Sequence, residues 1–462
     1  MRRDILGTTR VCGLIGNPVH HTISPDIHNT LAAKTGTDMV YVPFEVQNDK
    51  VGDAVRGALA LDILGLNVTV PHKSAVIPYL SDIDPVAGRI GAVNTLVRTK
   101  DGSGYKGYNT DYYGIKKSFE HDKVKLKGKS VIILGAGGIS KPAAYLCAEE
   151  GAKEVFILNR TLANAVKLSS DVNDFAGKDL CKAMELSDYK KLPSDRTYIC
   201  FQMTSVGLMP DSDKAVIENP DFYSMIEVGY DAVYRPFKTK FLCYCEEAGA
   251  YVITGLRTLL YQGICAYELW NDTQISEKDC EEVYRKLLKT LLGGENIILV
   301  GFMGSGKSAV SRAVSKFFGY EKIDSDAAIE KEQGRKIKDI FATDGEEYFR
   351  DIETGYLEKL IESGRKNMVL AVGGGLPLRE KNRELLKKIG TVVYLKATPE
   401  TVYKRVKRDT SRPLLNTEDK LARIRELLDS RREIYESAAD VVVSTDGKNI
   451  KRVAVEVAET VL

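Results

Sequence analysis

At 462 residues, 44% of them hydrophobic and 28% charged, the chain has the composition of a globular protein and the length of two or three domains. A formal net charge of +2 gives no basic surplus of the kind nucleic acid or an acidic membrane surface would require, so neither partner is expected. The opening MRRDILGTTR has no apolar core of signal-peptide length and no apolar run reaches bilayer length, which makes the cytoplasm the expected compartment. The eight cysteines lack paired zinc spacing and all five histidines precede residue 122, so reduced thiols and no zinc cluster are expected.

In chain order, the first 111 residues place polar side chains inside short apolar runs, at 16–25, 65–73, 91–95 and 107–111. A buried strand is predicted at 131–134, followed by the turn GAGG at 135–138 and a helix at 142–150. Backbone in such a turn approaches phosphate closely, and Ser140 is small enough for the third-glycine position of a dinucleotide fingerprint. The next predicted strand, 155–158, ends in Asn159-Arg160-Thr161. An NAD site would place Asp or Glu there for the ribose hydroxyls; a cation flanked by hydrogen-bonding groups suits a 2′-phosphate, hence NADP. A Lys- and Leu-rich helix at 281–292 stops at Gly293-Gly294, a predicted domain boundary. The strand 297–300 then feeds GFMGSGKS at 301–308 and a helix at 308–318. This is a full phosphate-binding loop, in which amides cradle phosphate, Lys307 spans the β and γ phosphates of ATP and the Ser308 hydroxyl binds Mg²⁺. Alternation of strands (the last predicted one at 392–395) with amphipathic helices argues α/β architecture throughout.

The four early motifs, the glycine turn, Asn-Arg-Thr, Met203-Thr-Ser-Val-Gly207, Asp231-Ala-Val-Tyr-Arg-Pro236 and the pair Gly255/Gln262 together resemble the shikimate dehydrogenase family over about residues 10–290. The resemblance implies that Thr22, Ser24, Asn67, Thr69, Asn94, Asp111 and Gln262, with Tyr234 nearby, bind shikimate, and that Lys73 and Asp111 form the catalytic pair. It implies that Gly135, Ala136, Gly137, Gly138, Ile139, Asn159, Arg160, Thr161 and Gly255 hold NADP. Three departures stand out. Thr22 replaces the first serine of Ser-x-Ser and adds a methyl, Asn164 stands where many NADP-using members have a second arginine, and Ala232 replaces a frequent methionine.

Behind the phosphate loop, Asp324-Ser-Asp326, Gly345-Glu-Glu-Tyr-Phe-Arg350, Gly373-Gly-Gly375, Arg412-Pro-Leu-Leu415 and Arg431 before Tyr435 resemble shikimate kinase over about residues 295–462. That resemblance implies ATP binding by Gly304, Ser305, Gly306, Lys307, Ser308 and Ala309, with Arg412 on a lid. It assigns shikimate to Asp326, Arg350, Gly374 and Arg431, Mg²⁺ to Ser308 and Asp324, and catalysis to Asp326 and Lys307. Arg350 and Arg431 suit a carboxylate because a guanidinium meets it as a two-pronged fork.

The expected architecture is therefore α/β: a two-lobed dehydrogenase with a Rossmann NADP-binding lobe, then a P-loop kinase with a parallel sheet and lid. The expected limits are a substrate lobe at 1–112 completed by helices from about 255–292, a Rossmann lobe at 113–254 and a kinase domain at 295–462. The expected activity is reduction of 3-dehydroshikimate with NADPH followed by phosphorylation of shikimate with Mg-ATP, consecutive steps towards chorismate and the aromatic amino acids. The alternative is an NAD-linked quinate/shikimate dehydrogenase, for which Thr22 and Asn164 leave room, fused to a regulatory nucleotide-binding module, against which the intact Lys307, Asp326, Arg350 and Arg431 argue. The sequence leaves oligomeric state open.

Overall fold

The computed structural model describes residues 5–208, 212–407, 415, 417 and 419–462. It comprises two compact units, Met1–Leu287 and Leu288–Leu462. The division falls inside the helix Glu277–Leu292, upstream of Gly293-Gly294.

The first unit holds two sheets. One comprises β1 Arg10–Gly16, β2 Met39–Glu45, β3 Gly65–Val68, β4 Asp82–Ile83, β5 Thr95–Arg98 and β6 Tyr105–Tyr108, in the order β2-β1-β3-β5-β6-β4. It is mixed: β1 pairs parallel with β2 and β3, while β5 runs antiparallel to both β3 and β6. The other comprises β7 Ser130–Leu134, β8 Glu154–Asn159, β9 Cys181–Glu185, β10 Tyr198–Gln202, β11 Ile226–Asp231 and β12 Tyr251–Ile253, all parallel, ordered β12-β11-β10-β7-β8-β9. Every residue of β7 and β10 is buried, as an apolar run covered on both faces requires. Strand order reverses between β7 and β10, and the crevice outside their carboxyl ends is where a doubly wound sheet binds a ligand.

The helices Thr110–His121 and Gly255–Asn271 pack together in this unit, so closely that a Cβ on Gly114 would lie 2.8 Å from Thr258 O and 3.0 Å from Gln262 Cβ. The far end of Gly255–Asn271 is tied to the first sheet, where Trp270 Nε1 donates to Leu96 O at 2.9 Å. The helix predicted from residue 281 begins at Glu277, because Ser276 accepts from Asp279 N at 3.2 Å while its hydroxyl donates to Asp279 Oδ2 at 2.6 Å. Apolar spacing alone does not register such a polar cap.

The second unit has one parallel sheet, β13 Ile297–Val300, β14 Glu321–Asp324, β15 Met368–Ala371, β16 Thr391–Lys396 and β17 Val441–Ser444, ordered β14-β15-β13-β16-β17. β13 lies at its centre, fully buried, and delivers the phosphate loop to the helix Lys307–Phe318. The helix Ile337–Glu362 is broken at Gly345 (φ 86°, ψ 175°), so Arg350 sits near the start of its second segment. Among the described residues no helix is long and apolar enough to cross a membrane.

Candidate active sites

In the first unit Lys73 Nζ donates to Asp111 Oδ2 at 2.6 Å, both side chains being largely sheltered. Asp111 lies in the first turn of Thr110–His121, a helix capped by Asn109, whose side chain accepts from Tyr112 N. The lysine is fixed from its backbone, since Val93 N donates to Lys73 O at 2.8 Å. Asn94 reaches the same helix: its Oδ1 accepts from Thr110 N at 2.6 Å and Thr110 Oγ1 at 3.1 Å. Asn67 donates through Nδ2 to Thr95 Oγ1 at 3.1 Å, and its Oδ1 accepts from the Tyr41 hydroxyl at 2.8 Å. Thr22 and Ser24 form a local pair, Oγ1 to Oγ at 3.1 Å, with Ser24 buried and facing the Tyr41 oxygen. Thr69 is half-buried beside Gly16, where a Cβ would lie only 2.3 Å from the threonine methyl. Gln262 is buried on the helix that crosses Gly114 and donates to Leu259 O at 2.8 Å.

Tyr41 escaped the sequence reading, since an aromatic residue in a strand has the look of core. Its backbone is clamped both ways by Asn29, at 2.9 and 3.1 Å. Its ring stacks on His28 at 4.2 Å, with Trp270 beyond at 5.0 Å from His28. His28 is fully buried, and neither ring nitrogen has a hydrogen-bond partner. Burial pulls its pKa down to about 3; Asn67 opposes the shift without reaching hydrogen-bond geometry.

The glycine turn follows β7. Gly135 has φ 109°, and a Cβ there would press within 2.9 Å of Thr204 Cγ2 and 3.1 Å of Met203 O, so only glycine fits. Gly137 and Gly138 face open space instead, and Gly137 N donates to Ser140 Oγ at 3.2 Å at the mouth of the helix Ser140–Glu149. Ala136 and Ile139 complete the turn, packed against the sheet core. At the end of β8, Asn159 Nδ2 donates to Thr161 O at 2.9 Å. Arg160 is exposed and lines a surface cavity of about 510 Å³ with Glu185, Ser187 and Tyr189. Open backbone at a helix N-terminus plus an exposed cation one strand over fits a dinucleotide with an additional phosphate.

The walls of this crevice are held by a buried network that joins the two later motifs, at 203–207 and 231–236, through Gln202. Asp231 Oδ1 accepts from Val233 N at 2.8 Å and Gln202 Nε2 at 3.3 Å, and its Oδ2 accepts from Thr239 Oγ1. Gln202 Oε1 in turn accepts from Thr204 N at 2.6 Å. Complete burial pushes the Asp231 carboxyl up to about 7, against the three hydrogen bonds that favour its charge. Gly255 packs on this wall, with Ala232 O 2.4 Å from where a Cβ would stand, and half-buried Tyr234 follows two residues later.

In the second unit Gly301, Gly304 and Gly306 take φ values of 144°, 80° and 105°. Lys307 Nζ donates to Gly301 O at 2.7 Å and Phe302 O at 3.2 Å, and Ser305 Oγ is buried with no hydrogen-bond partner. Ser308 is exposed and Ala309 half-buried in the first turn of Lys307–Phe318. Arg405 braces the loop from outside, donating to Ser305 O at 2.8 Å and to Thr445 O at 3.0 Å. Asp324 caps the helix Ser325–Gln333 through Ala327 N at 3.3 Å. The exposed Ser308 hydroxyl and the half-buried Asp324 carboxylate are oxygen donors of the type Mg²⁺ takes, and the glycine-lined loop at a helix start fits nucleotide phosphate.

Asp326 is raised above the usual carboxylate range, first by burial and then by Asp324, with Lys307 and Arg350 opposing. The glycine triplet packs directly on this group. A Cβ on Gly373 would fall 2.5 Å from Asp326 Oδ1, and one on Gly375 2.5 Å from an Arg350 nitrogen. Arg350 donates to Glu353 Oε2 at 2.7 Å and Glu346 Oε1 at 2.8 Å, and burial raises Glu353 to about 7. The Tyr435 hydroxyl donates to Gly374 O at 2.6 Å, and Arg431 faces that hydroxyl from one helical turn away. Arg412 lies outside the described residues.

The description "Shikimate dehydrogenase substrate binding domain" matches residues 14–96, "Shikimate / quinate 5-dehydrogenase" residues 116–195 and "Shikimate kinase" residues 303–462. The chain is 38% identical over 285 residues to a shikimate dehydrogenase (NADP(+)) of Methanothermobacter thermautotrophicus, covering 62% of this chain and 99% of that protein. It is 36% identical over 292 residues to a shikimate dehydrogenase (NADP(+)) of Moorella thermoacetica, covering 63% and 98%. The crystal structure of a Listeria monocytogenes shikimate 5-dehydrogenase in complex with shikimate and NAD superimposes with a TM-score of 0.57 at 32% identity, over 61% of this chain and 99% of that one. The chain thus belongs to the shikimate dehydrogenase family through its first unit and carries a shikimate kinase domain in its second.

Proposed function

We propose that this chain reduces 3-dehydroshikimate to shikimate with NADPH and then phosphorylates shikimate at its 3-hydroxyl with Mg-ATP. The observation that carries the reading is the Lys73–Asp111 pair, a sheltered ammonium and carboxylate 2.6 Å apart. Bound NADPH supplies the hydride. Lys73 Nζ gives a proton to the substrate oxygen as charge develops on it, and Asp111 holds that ammonium in place. Asn67, Asn94, Ser24, Thr22, Thr69, Tyr234 and Gln262 orient the hydroxyls and carboxylate. The turn at 135–139, the 159–161 segment and Gly255 hold the cofactor, with Arg160 favouring a 2′-phosphate.

In the kinase unit Asp326 accepts the proton of the attacking hydroxyl, a task for which burial and its raised pKa suit it. Arg350 and Arg431 clamp the substrate carboxylate, Gly374 contributes backbone, and Lys307 with the amides of 304–309 stabilises the transferring phosphoryl group. Mg²⁺ held by Ser308 and Asp324 would neutralise phosphate charge; Arg412 belongs to the expected lid. All eight cysteines are free thiols, which fits a reducing compartment such as the cytoplasm. The test is a pair of assays on the intact chain, NADP⁺-dependent oxidation of shikimate and shikimate-dependent ADP release. Loss of either activity refutes the corresponding half; quinate with NAD⁺ as the better substrate pair would overturn the assignment of the first.

A further inference from the structure

Three consecutive glycines are an unusual way to build a substrate wall. Gly373 and Gly375 are required sterically, because a Cβ would strike Asp326 Oδ1 or Arg350 at 2.5 Å. Gly374 is under no such pressure, its nearest neighbour to a Cβ being Met303 N at 3.6 Å. Glycine backbone turns freely, so a triplet has little intrinsic preference for one peptide orientation, and an outside contact must fix it. Tyr435 supplies one. Its hydroxyl donates to Gly374 O at 2.6 Å, and its fully buried ring stacks on Tyr394 at a centroid distance of 5.3 Å. In a trans peptide the amide of Gly375 points opposite to the Gly374 carbonyl, so anchoring one aims the other. Tyr435 also lies four residues after Arg431 on the helix Lys420–Ala438, the spacing that puts two side chains on one face, and Arg431 faces the phenol oxygen.

We propose that Tyr435 is the positioning residue of the acceptor site: its hydroxyl fixes the Gly374 peptide and with it the glycine wall beside Asp326 and Arg350. It acts through the Gly374 peptide. The inference rests on the kinase reading above.

The experiment compares Tyr435→Phe, which keeps ring and stack, with wild type and with Tyr394→Phe, which removes a hydroxyl from the same stack but none from the glycine wall. Tyr435→Phe should raise the KM for shikimate about tenfold, the scale of one lost hydrogen bond to a well-placed group, while leaving the KM for ATP within twofold. Tyr394→Phe should leave both KM values unchanged. Dehydrogenase activity of the same chain serves as the internal standard for active protein. A shikimate KM unchanged in Tyr435→Phe overturns the inference, and so does an equal rise in both KM values, which would mean general loosening. If wild type releases no ADP with shikimate, the kinase reading falls and takes the inference with it.

Discussion

At the scale of single residues, the Lys73–Asp111 contact makes the sharpest demand. Lys73→Ala should lower dehydrogenase kcat roughly 100- to 10,000-fold, the usual worth of positioned proton transfer, and leave phosphorylation of supplied shikimate intact. Steady-state assays of both activities on one preparation check this. His28 makes a different demand. Two buried nitrogens with no protein partner add little to stability, so an apolar ring of similar shape should serve as well. His28→Phe is expected to leave the heat-inactivation midpoint of the dehydrogenase unchanged or higher; a fall of several degrees would show that the imidazole has a polar role. Charged and glycine residues in motifs were legible because their chemistry is scarce outside sites. Tyr41 and Gln202 were not, because each acts by bonding a group distant in sequence, Asn67 and Asp231 respectively, and Tyr435 was legible as a motif position but not in its bond to the distant Gly374.

Among elements, the crossing of Thr110–His121 and Gly255–Asn271 holds Asp111 and Gln262 on neighbouring helices. Gly114→Ala would force a Cβ to 2.8 Å from Thr258 O. We expect about 1–3 kcal/mol of destabilisation from overpacking, with dehydrogenase kcat/KM reduced more than stability alone explains. Denaturant unfolding followed by activity separates the two. The first of these helices ends at His121, held between Asp122 and Glu281, which raise its pKa from 6.5 to about 9. A folded-state pKa above the unfolded one stabilises fully below pH 6.5, and the contribution disappears as pH rises through 9. Wild type should therefore resist heat inactivation better than His121→Gln at pH 6, with the gap closing by pH 10; a gap independent of pH would refute the ion pair. Buried strands such as β7 and β13 could be read from their continuous apolar runs. The antiparallel turn of β5 in the first sheet could not, because pairing between distant segments leaves no local pattern.

For the whole molecule, the proposed function gives both compact units one hydroxylated ring acid as substrate, and the structure sets a glycine turn at the carboxyl end of β7 and another at that of β13. That much was legible because both turns carry rigid motifs in a fixed order. The boundary was less so: the compact units divide at Leu287/Leu288, inside a continuous helix rather than at the glycine pair that follows it. Apolar residues continue through Leu287, Leu288, Leu291 and Leu292, so the sequence carries no break at the division. The most direct test supplies the intact chain with 3-dehydroshikimate, NADPH and Mg-ATP and follows NADPH loss and shikimate 3-phosphate together. The account predicts that wild type yields both, Lys73→Ala neither, and Lys307→Ala NADPH loss without phosphorylation. Wild-type NADPH consumption with no phosphorylated product, or phosphorylation persisting in Lys307→Ala, would contradict it.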